Sequence, residues 1–477
     1  MTDETSADGD SDEQDRNTLR IQWEAERESL SNNAQRAYTG WELIRGQEDL
    51  LAVRETGELY ACHDGVWSDD GEQVLRERAR EMMTSDYSTA LFRELKGQVH
   101  ATSAVSVSDL GVPDGTVAVE NGLLALQEGT LRDLRPDDYA LHRLPVEYDS
   151  GAGCPRWRTF LERVVSGESG RKQLQEFVGY CLAGGEPWLK KALMIFGPTD
   201  AGKTVFLEVV ERLFGDGANA AQTPQYLASE RWGLHQLKGK PVNIRHDVDA
   251  ERLQRLGVLK EIIDGNTVTA EQKGKDPYSF KPETRHLFAA NRAPKRPVDD
   301  EAFWNRWLTV VFPESVPPEE QTSKSELLDG LTEDLPGVLN WALDGLDRLR
   351  ENEEFTDAPS PDEVRRRWEQ FGSPIERFKH TQLVKDPDVV VPKRRVQEEF
   401  TVFCLDHGYE DLSDQELTRE LTKDPAIGQS QRRVDGDRPR VYTGVCLAGD
   451  GHGNSVDSDD GDNEEPNSES GDLSEFV

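Results

Sequence analysis

The run Gly197-Pro198-Thr199-Asp200-Ala201-Gly202-Lys203-Thr204 satisfies the pattern GxxxxGK[ST] in full. Its residue types define a chemistry. Glycines let backbone N–H groups converge on phosphate oxygens, and a following helix N-terminus adds a favourable dipole. Lys203 would neutralise charge on the β- and γ-phosphates of ATP, and Thr204 would offer its hydroxyl to Mg2+. Hydrolysis also needs an acid at a strand end to hold Mg2+ and place water. Val242-Asn-Ile244-Arg-His-Asp247-Val-Asp249 offers Asp247 and Asp249, 44 and 46 residues beyond Lys203. Arg245 and His246 interrupt what should be an apolar strand. An isolated Asp-x-Asp is as readily a solvated loop, so the weight of this pair comes from the loop upstream.

Further along, His286-Leu-Phe-Ala-Ala-Asn291 is an apolar run ending in Asn, and Asn305-Arg306-Trp307 follows fifteen residues later. An Asn at a strand end beside the γ-phosphate can hydrogen-bond the attacking water, and an Arg from a neighbouring subunit can reach the transition-state charge as a finger. Taken singly, Asn291 also reads as a turn starter and Arg306 as a surface cation between core tryptophans; their order in the chain is what singles them out. Between the acid and the Asn, a helix, the turn at Gly265 and a hairpin bearing Lys273 and Lys275 would push cations into a channel. A solvated hairpin is the plainer alternative.

These residues need a scaffold. Ala192–Phe196 is a short continuous apolar run, as expected of a strand buried on both faces of a parallel sheet, and residues 205–214 carry apolar positions at helical spacing. Pro241–Arg245, His286–Ala290 and Leu308–Phe312 are further strand candidates. The expected fold class is α/β: an AAA+-like P-loop NTPase motor with an α+β N-terminal domain and a C-terminal winged-helix domain. The boundaries read as a disordered acidic tail (1–17), the α+β domain (18–155) and a helical collar (156–185). The motor (186–358), a linker (359–378), the winged-helix-like domain (379–447) and a second disordered tail (448–477) follow. Two helices followed by strands around Asp435-Gly436-Asp437 carry the winged-helix expectation. There Arg432, Arg433, Arg438 and Arg440 are candidates for duplex DNA contact, with a solvated or protein-docking wing equally open.

The 477 residues carry 56 Lys+Arg against 92 Asp+Glu, a net charge of −36. Residues 1–17 account for −6 and residues 449–477 for −10, so −20 remains on the body. That balance favours a protein of a high-salt cytoplasm over an ordinary chain with acidic tails. It does not exclude DNA: residues 186–310 hold 19 bases and 17 acids, and nine of the 17 lysines fall between Lys190 and Lys281. At molar salt the Debye length is ~3 Å, so distant acids barely repel a strand held in a channel. Five scattered cysteines with no CxxC pair argue against a zinc site or a disulfide framework. No apolar run approaches a membrane span and the acidic start has no signal-peptide character, so a soluble, cytoplasmic protein is expected.

Over about residues 40 to 446 the ordered set resembles the superfamily 3 DNA helicases of viruses and plasmids, specifically the helicase part of primase-helicases of the poxvirus type. The resemblance includes Asn121-Gly122-Leu-Leu-Ala-Leu, Leu144-Pro-Val-Glu-Tyr-Asp and Cys154-Pro-Arg-Trp157. In the motor it takes in the Gly197–Thr204 loop, the Asp247 strand, Ile262-Ile-Asp-Gly265 through Lys273, Ala290-Asn291, Phe303-Trp-Asn-Arg306 and Leu335-Pro-Gly-Val-Leu-Asn-Trp341. It implies a ring, as a hexamer, with ATP between subunits, Arg306 acting in trans, Lys273 and Lys275 gripping single-stranded DNA, and 3′→5′ movement. The family often has two adjacent arginines where Asn305-Arg306 stands. With about 40 residues ahead of the matched region there is no room for a primase domain, so primer synthesis is expected of a separate primase. The competing expectation is an ATP-switched replication initiator or regulator without processive unwinding; a packaging or remodelling ATPase leaves the Lys273 hairpin without a role.

Overall fold

The computed structural model describes residues 8–253, 255–295, 300–317, 319, 322–406, 409, 411–431 and 439–448. The chain divides at Gly372/Ser373 into two units. The first opens with helices α1 (Asp8–Glu26) and α2 (Asn33–Ile44), the latter capped by the Asn32 side chain accepting from Gln35 N. Strands β1 (Leu50–Val53), β2 (Leu59–His63) and β3 (Val66–Ser68), helices α3 (Gly71–Met83) and α4 (Thr89–Thr102), and strand β4 (Ala104–Val105) complete a small sheet of order β3-β2-β1-β4. Trp23, Trp41, Leu75, Met82 and Leu95 fill its core. Helix α1 begins at Asp8, inside the stretch expected to be a disordered tail, because Leu19 and Trp23 give its C-terminal half a buried anchor. A meander of β5 (Thr116–Val119), β6 (Gly122–Ala125) and β7 (Thr130–Arg132) follows.

Helices α5 (Pro155–Val164) and α6 (Glu168–Leu182) occupy the expected collar. The motor segment then runs β8 (Ala192–Phe196), α7 (Lys203–Phe214), α8 (Pro224–Ser229), α9 (Arg231–His235), β9 (Val242–Arg245) and α10 (Leu256–Ile263). The hairpin β10 (Val268–Ala270) and β11 (Tyr278–Phe280), then β12 (Arg285–Ala290), α11 (Glu301–Trp304) and β13 (Trp307–Val311) follow. Strands β13-β8-β12-β9 form a parallel sheet in that order. Alternate residues of each strand enter two cores: Leu193, Ile195, Leu287 and Leu308 face one, and Met194, Phe196, Phe288 and Trp307 face the other. Burial on both faces explains the continuous apolar runs.

Helices α12 (Lys324–Thr332), α13 (Leu335–Asn352) and α14 (Pro361–Gly372) close the unit. Fully buried Glu176 of α6 accepts from Arg348 Nε of α13 at 2.6 Å and from Thr356, tying the collar to the end of the motor. The stretch 359–378, expected as a linker, is helical instead. Val364, Trp368 and Phe371 of α14 form an apolar stripe that packs on the sheet, with Phe371 stacked on Phe196 at 4.9 Å between ring centres.

The second unit holds α15 (Pro374–Gln382), β14 (Leu383–Pro392), α16 (Lys393–Asp406), α17 (Asp414–Leu421), β15 (Gly428–Gln431) and β16 (Arg440–Leu447). Its antiparallel sheet has the order β14-β16-β15, and Phe378, Phe400, Leu417 and Tyr442 pack beneath it. Helices α16 and α17 precede the paired strands β15 and β16. Strand β14 is additional, and its Asp386-Pro-Asp insertion breaks the pairing register between Lys385 and Val390.

Candidate active site

In the sheet, β8 lies between β12 and β13, the strands that follow it at a distance in sequence. The crevice beyond the carboxyl ends of such strands is where open α/β sheets take ligands. The Gly197–Thr204 loop occupies that position, and its glycines are required by close approaches. A Cβ on Gly197 would lie 2.4 Å from the Phe312 carbonyl oxygen; one on Gly202, at φ +87°, would lie 2.8 Å from Val164 Cγ1. The loop is fastened from the far side of β13: Ser315 Oγ donates to Thr199 O at 2.6 Å and Val316 N donates to Asp200 O at 3.0 Å.

Lys203, the first residue of α7, is only 6% exposed. Its ammonium donates to Gly197 O at 3.0 Å, to Pro198 O, and to Asn291 Oδ1 at 2.8 Å. Asn291 follows β12 directly, and Ala290 pairs with Phe196, so two residues 88 positions apart in sequence meet at one end of the sheet. Beside them a cavity of about 890 Å³ is lined by Asp200–Val205, by Phe160, Arg163 and Val164 of α5, and by Lys324 and Leu327 of α12. The collar residues were not singled out from sequence as part of a site; the amphipathic spacing of 156–183 showed a helix but not what it faces.

Asp247 and Asp249 lie just beyond the carboxyl end of β9, do not line that cavity, and are reached by an irregular path. Arg245 is the last paired residue of β9, and the chain rejoins β12 when Val248 N donates to Ala289 O at 2.9 Å. Val248 is buried, while Asp247 and Asp249 on either side of it are exposed. The polar Arg245-His246 interruption is accommodated because β9 is the outer strand of the four. Arg245 is exposed, and His246 Nε2 contacts Glu211 Oε2 of α7 at 2.7 Å.

Arg306 stands elsewhere. It precedes β13, whose Trp307 pairs with Ala192 at the start of β8, so it lies at the amino end of the strands, opposite Lys203. There it makes a two-pronged contact with Asp264, Nε to Oδ1 at 2.8 Å and Nη2 to Oδ2 at 2.6 Å.

Lys273 and Lys275 lie in the turn between β10 and β11, and both are exposed. Lys275 pairs with Glu58 Oε1 at 3.2 Å. Glu58, just before β2, also holds partly buried Lys238, whose ammonium lies near the Tyr60 and Tyr278 rings. Sequence carries no signal for this tie, because its members are about 180 and 217 positions apart. Arg432 and Arg433 lie outside the described residues, as does Arg438; Arg440, at the start of β16, is exposed.

Burial alone would push the Glu58 carboxyl up, but its bond to Lys238, with Thr56 and Lys275, brings it down to about 2. A group held charged by folding contributes fully above the ordinary glutamate range, and that contribution is lost as pH falls through about 4 toward about 2. Glu58→Gln is therefore expected to lower the melting temperature near neutral pH by about 2 °C. The gap from the unsubstituted protein should close across that acid window. A gap that persists unchanged at the lowest pH would show that the Glu58 charge is not what ties the hairpin to β2.

Among the described residues, no cluster of three or more His, Cys, Asp or Glu side chains could hold a metal ion, and no helix is long and apolar enough to cross a membrane. The cysteines are unpaired with one another.

Comparison with known proteins adds the following. Residues 36–166 match the family described as D5 N terminal like, and residues 195–306 match a family of unknown function, DUF5906. A protein of Acanthamoeba polyphaga mimivirus that carries the name "Putative helicase" is 20% identical over 233 residues, 45% of this chain. The matched part is 23% of that relative's length. Two apo structures of the NrS-1 C-terminal region align with 87% of this chain and 100% of their own, at 10% identity and TM-scores of 0.47 and 0.46. The similarity of this chain is thus to a viral protein of the helicase kind, at low identity and over part of each, with residues 36–166 similar to the D5 N terminal like family.

Proposed function

We propose that the chain is an ATP-dependent DNA helicase of superfamily 3 type, acting in viral or plasmid DNA replication as a hexameric ring on single-stranded DNA. The observation that carries this reading is the contact of Lys203 with Asn291 at the carboxyl end of a parallel sheet, beside an open cavity. The donor set suits a nucleotide triphosphate with Mg2+. Backbone N–H groups of α7's first turn and a buried ammonium would face anionic oxygens, and the Thr204 hydroxyl and Asp247 carboxylate would be the oxygen ligands for a hard cation. Mg2+, when bound, would neutralise charge developing on the β- and γ-phosphates.

In this reading Lys203 exchanges the Gly197 and Pro198 carbonyls for phosphate oxygens. Asn291 Oδ1, once Lys203 turns from it to the phosphate as well, would accept from the attacking water, and Asp247, with Asp249 beside it, would hold the cation. Arg306 lies at the wrong end of the strands to serve its own subunit's nucleotide, so its place as a finger is on the neighbour's. Lys273 meets the DNA backbone, and Lys275 joins it when released from Glu58. The C-terminal unit acts as a winged helix that takes duplex DNA, with Arg432 and Arg433 as candidate contacts. A separate primase supplies primers, and the protein works in a high-salt host cytoplasm.

ATP turnover with and without single-stranded DNA, across potassium chloride up to molar concentrations, tests this. Turnover stimulated by single strands is expected, and it should persist at high salt if stacking and ring closure carry the affinity. Bound ATP with no stimulation at any salt would replace the translocase by an ATP-switched initiator.

A further inference from the structure

Helices α8 and α9 put two aromatic rings on the surface beside the cationic hairpin. Trp232 is 49% exposed and Tyr226 is 38% exposed. Both belong to segments anchored from below: Leu227, Ala228 and Leu234 are buried, so the rings are presented rather than loosely hung. The Tyr226 ring packs on Gly233, where a Cβ would meet it at 2.7 Å; the glycine is what lets the ring lie against α9. The hairpin adjoins the same surface, since Glu271 N donates to Arg231 O at 3.3 Å. Arg231 and Lys273 are exposed there, and Arg255 reaches Ser229 O at the end of α8 at 3.4 Å. Glu230, Glu271 and Asp276 are the acids in the same segments, against these three cations and Lys275.

We infer that Trp232 and Tyr226 form a stacking platform for the unpaired bases of single-stranded nucleic acid. The phosphates of the same stretch lie toward Arg231 and Lys273. This rests on the helicase reading and deepens it, by adding base contacts to a site otherwise described by charge alone. Interleaving of rings with cations is what favours nucleic acid over a protein partner, whose seat would be a continuous apolar patch. A duplex does not fit, because its bases already stack on one another and hide their faces. A platform of this kind also suits a strongly acidic protein in high salt. Stacking does not weaken as counterions accumulate, whereas phosphate contacts do.

The test uses the full chain and a fluorescein-labelled oligo(dT), read by anisotropy at several salt concentrations. Trp232→Ala and Tyr226→Ala are each expected to weaken binding on the order of tenfold, with the slope of log affinity against log salt unchanged. Trp232→Phe, which keeps a ring, should recover most of the loss. Lys273→Ala should instead flatten that slope by about one unit. Oligo(dT) should quench the fluorescence of the unsubstituted protein, and Trp232→Phe should remove most of that quenching. Unchanged affinity in both alanine variants, with Lys273→Ala still weakened, would overturn the platform and leave the helicase reading standing. A shift in sedimentation without a change in affinity would also overturn it, by making the rings a subunit contact. Failure of the unsubstituted protein to bind oligo(dT), with no stimulation of turnover, would overturn both readings.

Discussion

Lys203→Ala is expected to lower ATP turnover by 10² to 10³-fold or more, the order found when a preorganised charge is removed from a developing anion. Its ammonium is buried, and its acceptors at the end of the sheet include two loop carbonyls and Asn291. A phosphate can replace those acceptors without moving the lysine far, whereas alanine offers the phosphate nothing. The variant should also lose most of the thermal stabilisation that ATP gives. That stabilisation amounts to about 2.7 kcal/mol when ligand is present at a hundred times its dissociation constant. The cavity opens beside the side chain, so water can take over the vacated carbonyls, and the unliganded melting temperature should fall little. Because Lys203 and Asn291 meet directly, Lys203→Ala combined with Asn291→Ala should be no slower than Lys203→Ala alone. Additive losses would mean that the two act on separate steps, and normal turnover in Lys203→Ala would remove the loop from the chemistry.

How far this arrangement was legible in the sequence depended on whether a residue's role was set locally. The β8, loop and α7 order could be read because burial on both faces forces an unbroken apolar run, and the following helix keeps its own spacing. Asn291 was legible for the same reason, as the polar end of a fully buried strand. The Arg245-His246 interruption looked like a flaw in the acid strand only because its outer place in the sheet is not written in β9 itself. Helix α14 was hidden by Pro359 and Pro361, which read as a linker, and by the charged residues that surround Val364, Trp368 and Phe371. Such a stripe becomes persuasive once the rings it covers, Phe196 and Trp307, are known. The Glu58 tie on Lys238 and Lys275 was beyond reach, since it joins the N-terminal sheet to the hairpin across most of the motor's length.

Arg306→Ala is expected to bind ATP as the unsubstituted protein does and to hydrolyse it 10³ to 10⁵-fold more slowly, the range associated with loss of an arginine finger. The geometry makes the claim specific. Arg306 and the Lys203 loop flank opposite ends of five-residue strands, a separation of roughly 15 Å along the sheet, which no rotamer of one side chain spans. Any catalytic action of Arg306 must therefore cross to another subunit. Within its own chain it is held by Asp264, itself partly buried, so the substitution also strands a carboxylate and should cost some stability. Asp264→Asn separates the two effects: it loosens the arginine's seat while keeping the guanidinium, and it should lower turnover far less than Arg306→Ala does. The decisive measurement mixes two inactive proteins. Lys203→Ala subunits lack a working nucleotide loop but keep Arg306, and Arg306→Ala subunits have the reverse defect. In rings assembled at random from equal amounts, roughly a quarter of the interfaces pair an intact loop with an intact arginine, so about that share of turnover should return. Recovery on mixing would establish catalysis between subunits, since neither protein can supply it alone. No recovery, in rings shown to have exchanged subunits, would make the Asp264 contact the whole of Arg306's role.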